Sequence, residues 1–354
     1  MSLIDLASGP TPTIVGITAS ESLSLCVLKN RGVEVQRTPR EEDVVDVTLK
    51  ALPNLVSLSV GTVGVTARVP ALAKLFRSRG IAVIESDPRT AVQVMGVPAE
   101  HTTLDHLLHV LQQFGIVSDP PLTDLSRDQT EAITSAIVGV AFWAGRFASS
   151  GDAEEGLLVV PHIGSPTSRW SNRAAIGLSG PMAAGKTTAG MHLHARGFHY
   201  ARYSWIVEDV AREREREPSR STLQDVGREL HRTRGQRWLG RKLLEKLPAA
   251  GCMVIDGLRY PDDHAFMTES FGPYFHHIAI TAPVDCRRRR FETSRQAEDF
   301  QRAAAHPSEL EVENVSLLAH RVIANDGSLE QFLANLEAAV DELLDLNGRA
   351  PQCM

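Results

Sequence analysis

The chain has 354 residues, 43% of them hydrophobic and 23% charged, with a formal net charge of −6, a balance that fits a globular protein of two domains at about 150 residues each. No apolar run approaches the roughly 20 residues of a membrane span, and the N-terminus MSLIDLASGPTPTIVGI has neither the basic start nor the apolar stretch of a secretory signal. Cys26, Cys252, Cys286 and Cys353 stand far apart without a C-x-x-C pair, which argues against a zinc cluster or a disulfide framework and for a reducing cytoplasm. The charge deficit belongs to the first half, where residues 1–165 hold 12 Lys and Arg against 18 Asp and Glu. Such a surface repels a phosphate backbone, so nucleic acid is disfavoured as a partner.

In chain order, TIVGITA, SLSLCVLKN and GVEVQR read as three strands of a hairpin or meander. A helical stretch near 41–52, the apolar run LVSLSVGTVG, a helix near 69–79 and the strand GIAVIES follow, and that alternation predicts an α/β layered domain. Helical periodicity returns in TLDHLLHVLQQFG and in DQTEAITSAIVGVAFWAGRFA, the latter apolar on nearly every side and expected in the core with Phe142 and Trp143. EEGLLVVP closes a domain over 1–165, and 166–173, within HIGSPTSRWSNR, reads as a linker. The second domain, 174–354, opens on the strand RAAIGLSG, which runs into a Gly-rich turn and the helix GKTTAGMHLHARG. CMVIDGL, FHHIAITA and HRVIAND are further strands with helices between them, the pattern of a mostly parallel sheet covered on both faces.

GPMAAGKT satisfies G-x-x-x-x-G-K-[ST] with Gly180, Gly185, Lys186 and Thr187. Its strand–loop–helix setting is the one that lets backbone amides, including those of Ala183, Ala184 and Thr188, curl around phosphate oxygens. Lys186 reaches the outer phosphates, and the Thr187 hydroxyl is a ligand for Mg²⁺, so ATP and Mg are the expected cofactors. Asp256, at the end of an apolar strand, is the expected second metal residue and polariser of the nucleophile. Arginines gather where an acceptor side and a lid would form, Arg212, Arg220, Arg228, Arg287 to Arg290 and Arg295, and Arg259 or lid arginines are expected to steady the moving phosphoryl group. Planar guanidinium groups follow the charge of a transferring phosphoryl group. Arg214 and Arg216 alternate with Glu and read instead as a solvated, self-paired face.

On GLSGPMAAGKTTAGMHLHARGF, EPSRSTLQDVGRELHRTRG, VIDGLRYPDDHAFM and LLAHRVIANDGSLEQF, residues 174–345 resemble P-loop kinases of the nucleoside monophosphate kinase and dephospho-CoA kinase group. The resemblance implies that Asn325, Asp326 and Gly327 lie near the nucleotide base and that 291–308 is a mobile lid which excludes water. It also implies an Asp at the start of the acceptor helix, where this chain has Trp205. Glu208 and Asp209, one turn on, are candidate substitutes. Alternatively Trp205 stacks on a ring of the acceptor, or the pocket binds ATP and transfers nothing.

Residues 13–161 more weakly resemble an uncharacterised family predicted to have an RNase H-like fold, on IVGITA, AVIESDPRTAVQVMGVP and the segment from DQTEAITSAIVGV to GLLVVP. That chemistry needs several carboxylates around two metal ions about 4 Å apart. Here Thr18 stands where the first-strand Asp belongs, and only Glu85, Asp87 and Asp128 or Glu131 remain, so a domain without nuclease activity is expected. Histidines 106, 109, 192, 194, 276 and 277 form no ligand triad by spacing and read as ordinary core or surface residues. The resulting expectation is an α/β protein in which an RNase H-like domain precedes a P-loop kinase domain that phosphorylates a nucleotide or nucleotide-like small molecule. Its rivals are a nucleic-acid end or modified-base kinase and a noncatalytic ATP-sensing module. A homo-oligomer is left open.

Overall fold

The structure is a computed structural model; it describes residues 12–19, 23–30, 32–38, 40–60, 68–96, 105–106, 109, 112, 125–152, 154, 156–162, 168–170, 172–217, 219–294 and 299–345. The chain divides into two compact units, Met1–Ser171 and Asn172–Met354. Among the described residues no helix is long and apolar enough to cross a membrane.

In the first unit, strands β1 (Ile14–Ala19), β2 (Leu23–Lys29), β3 (Gly32–Thr38), β4 (Leu55–Ser59), β5 (Ala82–Ser86), β6 (Phe147–Asp152) and β7 (Gly156–Pro161) form one sheet in the order β3-β2-β1-β4-β5-β7-β6. β1, β4, β5 and β7 run parallel, while the β1–β2–β3 meander and the β6–β7 pair are antiparallel. Helices α1 (Glu41–Ala51) and α2 (Arg68–Ser78) cover one face, with Val44, Leu72 and Phe76 clustered with Val15, Ile17, Val56, Leu58 and Val83. Helix α3 (Pro88–Val94) follows β5, and the apolar α4 (Arg127–Trp143) lies against β1, β2 and β4. α4 begins at a capping box between Ser126 and Gln129. A Cβ on Gly16 would collide with the Ala132 carbonyl and the Ala136 amide. The small residues of α4 thus set its backbone directly on the strand.

The predicted helix reached through RFA, but α4 stops at Trp143 because Gly145, at φ 69°, turns the chain and Phe147 starts β6. The expected linker 166–173 is only in part a connection. Trp170 is buried, donates its indole N–H to the Phe142 carbonyl at 2.8 Å and packs on Phe142 and Phe147, while Arg173 opens the next strand. Most of TLDHLLHVLQQFG lies outside the described residues. Cys26 and Cys286 are free thiols and Cys252 is disulfide-bonded, which the wide cysteine spacing did not suggest.

In the second unit, β8 (Arg173–Ser179), β9 (His199–Arg202), β10 (Gly251–Leu258), β11 (Phe275–Thr281) and β12 (Arg321–Ala324) make a fully parallel sheet in the order β12-β11-β8-β10-β9. Helices α5 (Lys186–Ala195), α6 (Tyr203–Glu213), α7 (Arg220–Arg234), α8 (Gln236–Leu244), α9 (Pro261–Phe271), α10 (Val284–Ser294), α11 (Phe300–Ala304), α12 (Pro307–Ser316) and α13 (Leu329–Asp345) connect and follow the strands. In α13, Phe332, Leu336, Val340 and Leu343 recur at helical spacing and join Leu193 of α5 over Ile176, Leu178, Val254, Ile278 and Ile280 of the sheet. Each such buried side chain contributes about 1.5–3 kcal/mol. Together they hold α5, and the turn before it, against the central strand.

Candidate functional site

The site begins where β8 ends. Gly180 has φ 134°, and a Cβ there would strike the Ile280 carbonyl of β11; Gly185, at φ 112°, is the N-cap of α5, where a Cβ would strike the Asn325 amide. Ala183 takes the left-handed region at φ 59° and Ala184 is fully buried. The turn delivers the chain into α5, whose first-turn amides, Lys186 to Thr188 among them, have no partner inside the helix and carry the positive end of its dipole. Lys186 donates from Nζ to the carbonyls of Gly180 at 2.7 Å and Pro181 at 3.0 Å, which keeps its ammonium over the turn.

Asp256 is 4% exposed near the end of β10, in register with Leu178 on one side and Arg202 on the other. Its Oδ2 accepts from Thr187 Oγ1 at 3.0 Å and from the Tyr200 hydroxyl at 2.9 Å. Burial, then the charge and hydrogen bond of Asp256, push the Tyr200 phenol far above its ordinary range, so it remains a donor. A carboxylate and a hydroxyl within 3.0 Å are hard oxygen donors of the kind that Mg²⁺ takes from protein while phosphates and water supply the rest. The residues present therefore fit the cation. Among the described residues no group of three or more His, Cys, Asp or Glu can hold a metal on its own.

Beyond Asp256 the ladder shifts register at Gly257, and Arg259 is turned toward α12. Its Nη1 donates to Glu309 Oε1 at 2.8 Å, and Oε2 of the same buried carboxylate accepts the Met182 amide at 3.0 Å. Burial pulls the Arg259 pKa down, but Glu309 outweighs it and holds the guanidinium up. Arg259 was expected to steady the moving phosphoryl group; here its guanidinium is tied to Glu309. Asp263 shapes the same turn, with Oδ2 accepting the amides of Arg259 at 2.8 Å and Tyr260 at 3.0 Å and Oδ1 accepting from Gln236 at 2.6 Å. Burial outweighs these bonds and pushes its carboxyl up to about 6.

Of the residues expected near the base, Asn325 is buried and donates to the Ala184 carbonyl at 2.8 Å while its Oδ1 accepts from Arg290 at 3.2 Å; Asp326 and Gly327 are exposed in the turn before α13. In the expected lid, Phe291, Phe300 and Ala303 cluster with Met182 of the loop, and the guanidinium groups of Arg287 and Arg288 stand 5.9 and 5.8 Å from the Phe300 ring centre. Arg295 lies outside the described residues. Trp205 is half-buried and meets the Tyr200 ring edge-on at 5.5 Å. Glu208 is paired with Arg202 at 2.8 Å and Arg212 at 3.7 Å, and Asp209 with Lys246 at 2.6 Å and Arg212 at 3.5 Å, so both carboxylates are committed to cations. Arg220 opens α7, and its side chain is outside the description. Arg214 pairs with Glu229 at 2.8 Å.

Tyr200 and Glu309 were not among the sequence candidates. The one local signal for Tyr200 is Gly190, inside α5, where a Cβ would collide with the tyrosine ring. In the first unit, Asp87 caps α3 through the Arg89 amide at 3.1 Å and Thr90 at 2.6 Å, and Glu131 pairs with Arg127 at 3.1 Å. These carboxylates serve local structure.

No protein-family model matches the chain. A UPF0200 protein of Methanothrix thermoacetophila is 27% identical over 177 residues, 48% of this chain and 97% of its own. Dephospho-CoA kinase from Campylobacter jejuni is similar in structure over 48% of this chain and 97% of its own, at 15% identity and a TM-score of 0.31. RuvC from Thermus thermophilus is similar over 35% of this chain and 91% of its own, at 15% identity and a TM-score of 0.26. The chain is an α/β protein with two sheet-bearing regions.

Proposed function

We propose that the second unit is an ATP- and Mg-dependent phosphotransferase acting on a nucleotide or nucleotide-like small molecule. The observation that carries this reading is the convergence, at the N-terminus of α5, of a glycine-bounded turn, the Lys186 ammonium and the Thr187–Asp256 pair. In it the turn and the first-turn amides bind the phosphate tail of ATP, and Lys186 exchanges its carbonyl partners for β- and γ-phosphate oxygens. Thr187 and Asp256 would hold Mg²⁺, which when bound supplies charge neutralisation to the phosphates. Met182, Phe291 and Phe300 exclude water above the turn. Arg290 and the Arg259–Glu309 pair are cationic groups on the lid side, and Arg212 is one on the acceptor side.

A second reading, ATP binding without transfer, is favoured by one observation: Glu208 and Asp209, the candidate substitutes for the acid that the kinase resemblance implies at Trp205, are held by Arg202 and Lys246. A panel of nucleosides, nucleoside monophosphates, dephospho-CoA and short oligonucleotides, followed for ADP and product mass with ATP·Mg²⁺, separates the readings. Transfer to a small molecule supports the first, transfer to an oligonucleotide end the nucleic-acid rival, and ATP binding without ADP the second. Lys186→Ala is expected to lower transfer at least about 100-fold with the fold intact; a wild-type rate in that variant removes the proposal.

A further inference from the structure

Three elements meet on one side chain. The Tyr200 ring, on β9, fills a niche that only glycine at position 190 of α5 leaves open. Its hydroxyl donates to Asp256 Oδ2 at 2.9 Å, on β10, and its ring edge meets Trp205 at 5.5 Å, on α6. Both side-chain hydrogen bonds that Asp256 accepts from Tyr200 and Thr187 fall on Oδ2, and none to Oδ1 is found among the described residues. Two donors on one oxygen restrain rotation of the carboxylate and leave its second oxygen facing one direction for a cation. Hydrogen-bond partners of a metal-holding carboxylate fix its orientation in this way.

We propose that Tyr200 is a positioning residue of the metal–nucleotide site: it locks Asp256 for the cation and, through Trp205, connects that carboxylate to the acceptor-side helix. This rests on the reading of Thr187 and Asp256 as the residues that hold Mg²⁺. Tyr200 touches neither nucleotide nor acceptor in this assignment. Its removal therefore acts on the cation's contribution to binding and leaves the phosphate contacts of the turn alone.

The test is isothermal titration of the full chain with ATP, once in EDTA and once with Mg²⁺. Tyr200→Phe, which keeps the ring in its niche, is expected to bind metal-free ATP as wild type does and to lose roughly 10-fold of the gain that Mg²⁺ gives. Gly190→Ala, which displaces the ring but retains the hydroxyl, moves the ratio in the same direction and decides the matter if Tyr200→Phe fails to fold. A purely structural tyrosine would lower the unfolding midpoint and leave the ratio unchanged. An unchanged ratio in both variants, or a wild type without any gain from Mg²⁺, overturns the assignment. Lys186→Ala separates the levels. If it weakens ATP in both conditions while Tyr200→Phe keeps the wild-type ratio, only the role of Tyr200 falls; if it binds as wild type, the loop reading fails and Tyr200 with it.

Discussion

Both units bring parallel strands to a common edge, where open α/β sheets bind ligands, and they finish that edge in opposite ways. In the first unit Ser24, Thr18, Ser59 and Ser86 form one row across β2, β1, β4 and β5, each in register with the next and each no more than 3% exposed. The hydroxyls of Ser24, Thr18 and Ser59 have no partner among the described residues. In the second unit the edge carries an amide turn, an ammonium group and a carboxylate already hydrogen-bonded to the residue beside the lysine. A sheet edge thus fixes where chemistry can happen, and the charges set on it fix which chemistry. A row of neutral hydroxyls cannot neutralise two divalent cations, whereas one carboxylate beside a phosphate cradle suffices for a nucleotide-borne one.

Two glycines offer the strongest way to break this contrast. A Cβ at Gly180 would strike the Ile280 carbonyl, and one at Gly16 the Ala132 carbonyl; both are backbone atoms that cannot yield cheaply. Gly180 also holds φ 134°. Each alanine variant is expected to lose roughly 3 kcal/mol in urea unfolding. Only Gly180→Ala should abolish ATP binding, because each proposed nucleotide contact lies in the second unit. ATP affinity preserved in Gly180→Ala would detach the turn from nucleotide binding.

Acid sharpens the contrast next. Burial pushes His264 well below its usual range, His276 to about 4, His277 to about 3 and His320 downward, with neighbouring histidines adding to it at the first three and Arg321 at His320. His264 and His277 share a hydrogen bond between Nδ1 atoms at 3.1 Å, which requires that the accepting ring be neutral. As pH falls below about 6.5 the unfolded chain takes up protons that the native cluster refuses, so stability declines until the native rings titrate near 4 and 3. Asp263 works the other way: its raised carboxyl protonates in the native state from about 6, ahead of the unfolded one near 4, and offsets part of the loss. The second unit is expected to lose about 2 kcal/mol or more between pH 6.5 and 4. His106, His109 and His162 of the first unit are exposed. Calorimetry across this window should show one transition falling faster than the other; equal slopes would remove the histidine cluster as the cause.

The strand, glycine-bounded turn and helix at the start of the second unit were legible because their signals are contiguous: glycines, lysine and threonine at fixed spacing between two apolar segments. Asp256 was legible for a related reason, as an acid closing an apolar strand. What escaped the sequence depends on contacts between distant residues. Glu309 reaches the Met182 amide across 127 positions, and Tyr200 reaches Asp256 across 56. Glu208 and Asp209 looked available for an acceptor until Arg202 and Lys246 were seen to hold them. β6 was hidden because Phe147 and Ala148 extend an apolar helical pattern, while its remaining residues are polar on an edge strand whose register only β7 supplies. Trp170 sat in a Ser- and Pro-rich stretch, and only the Phe142 carbonyl and two rings 5.3 Å away mark it as core.

The smallest expected effect tests the first unit's side of the comparison. Thr18 is 1% exposed, and its hydroxyl is buried without a partner, a state that costs about 1–3 kcal/mol. Thr18→Val replaces that oxygen with a methyl group, retains the β-branch that suits a strand and hardly changes the volume. If the row is an uncharged edge without ligands, the variant should gain about 1 kcal/mol in urea unfolding, with Ser59→Ala of the same sign and smaller, since it removes one atom and puts nothing in its place. A loss of similar size would mean that Thr18 has a partner, water or ligand, which the other hydroxyls of the row would share. The first unit's edge would then be a polar site in its own right, and the contrast with Asp256 would be one of charge alone.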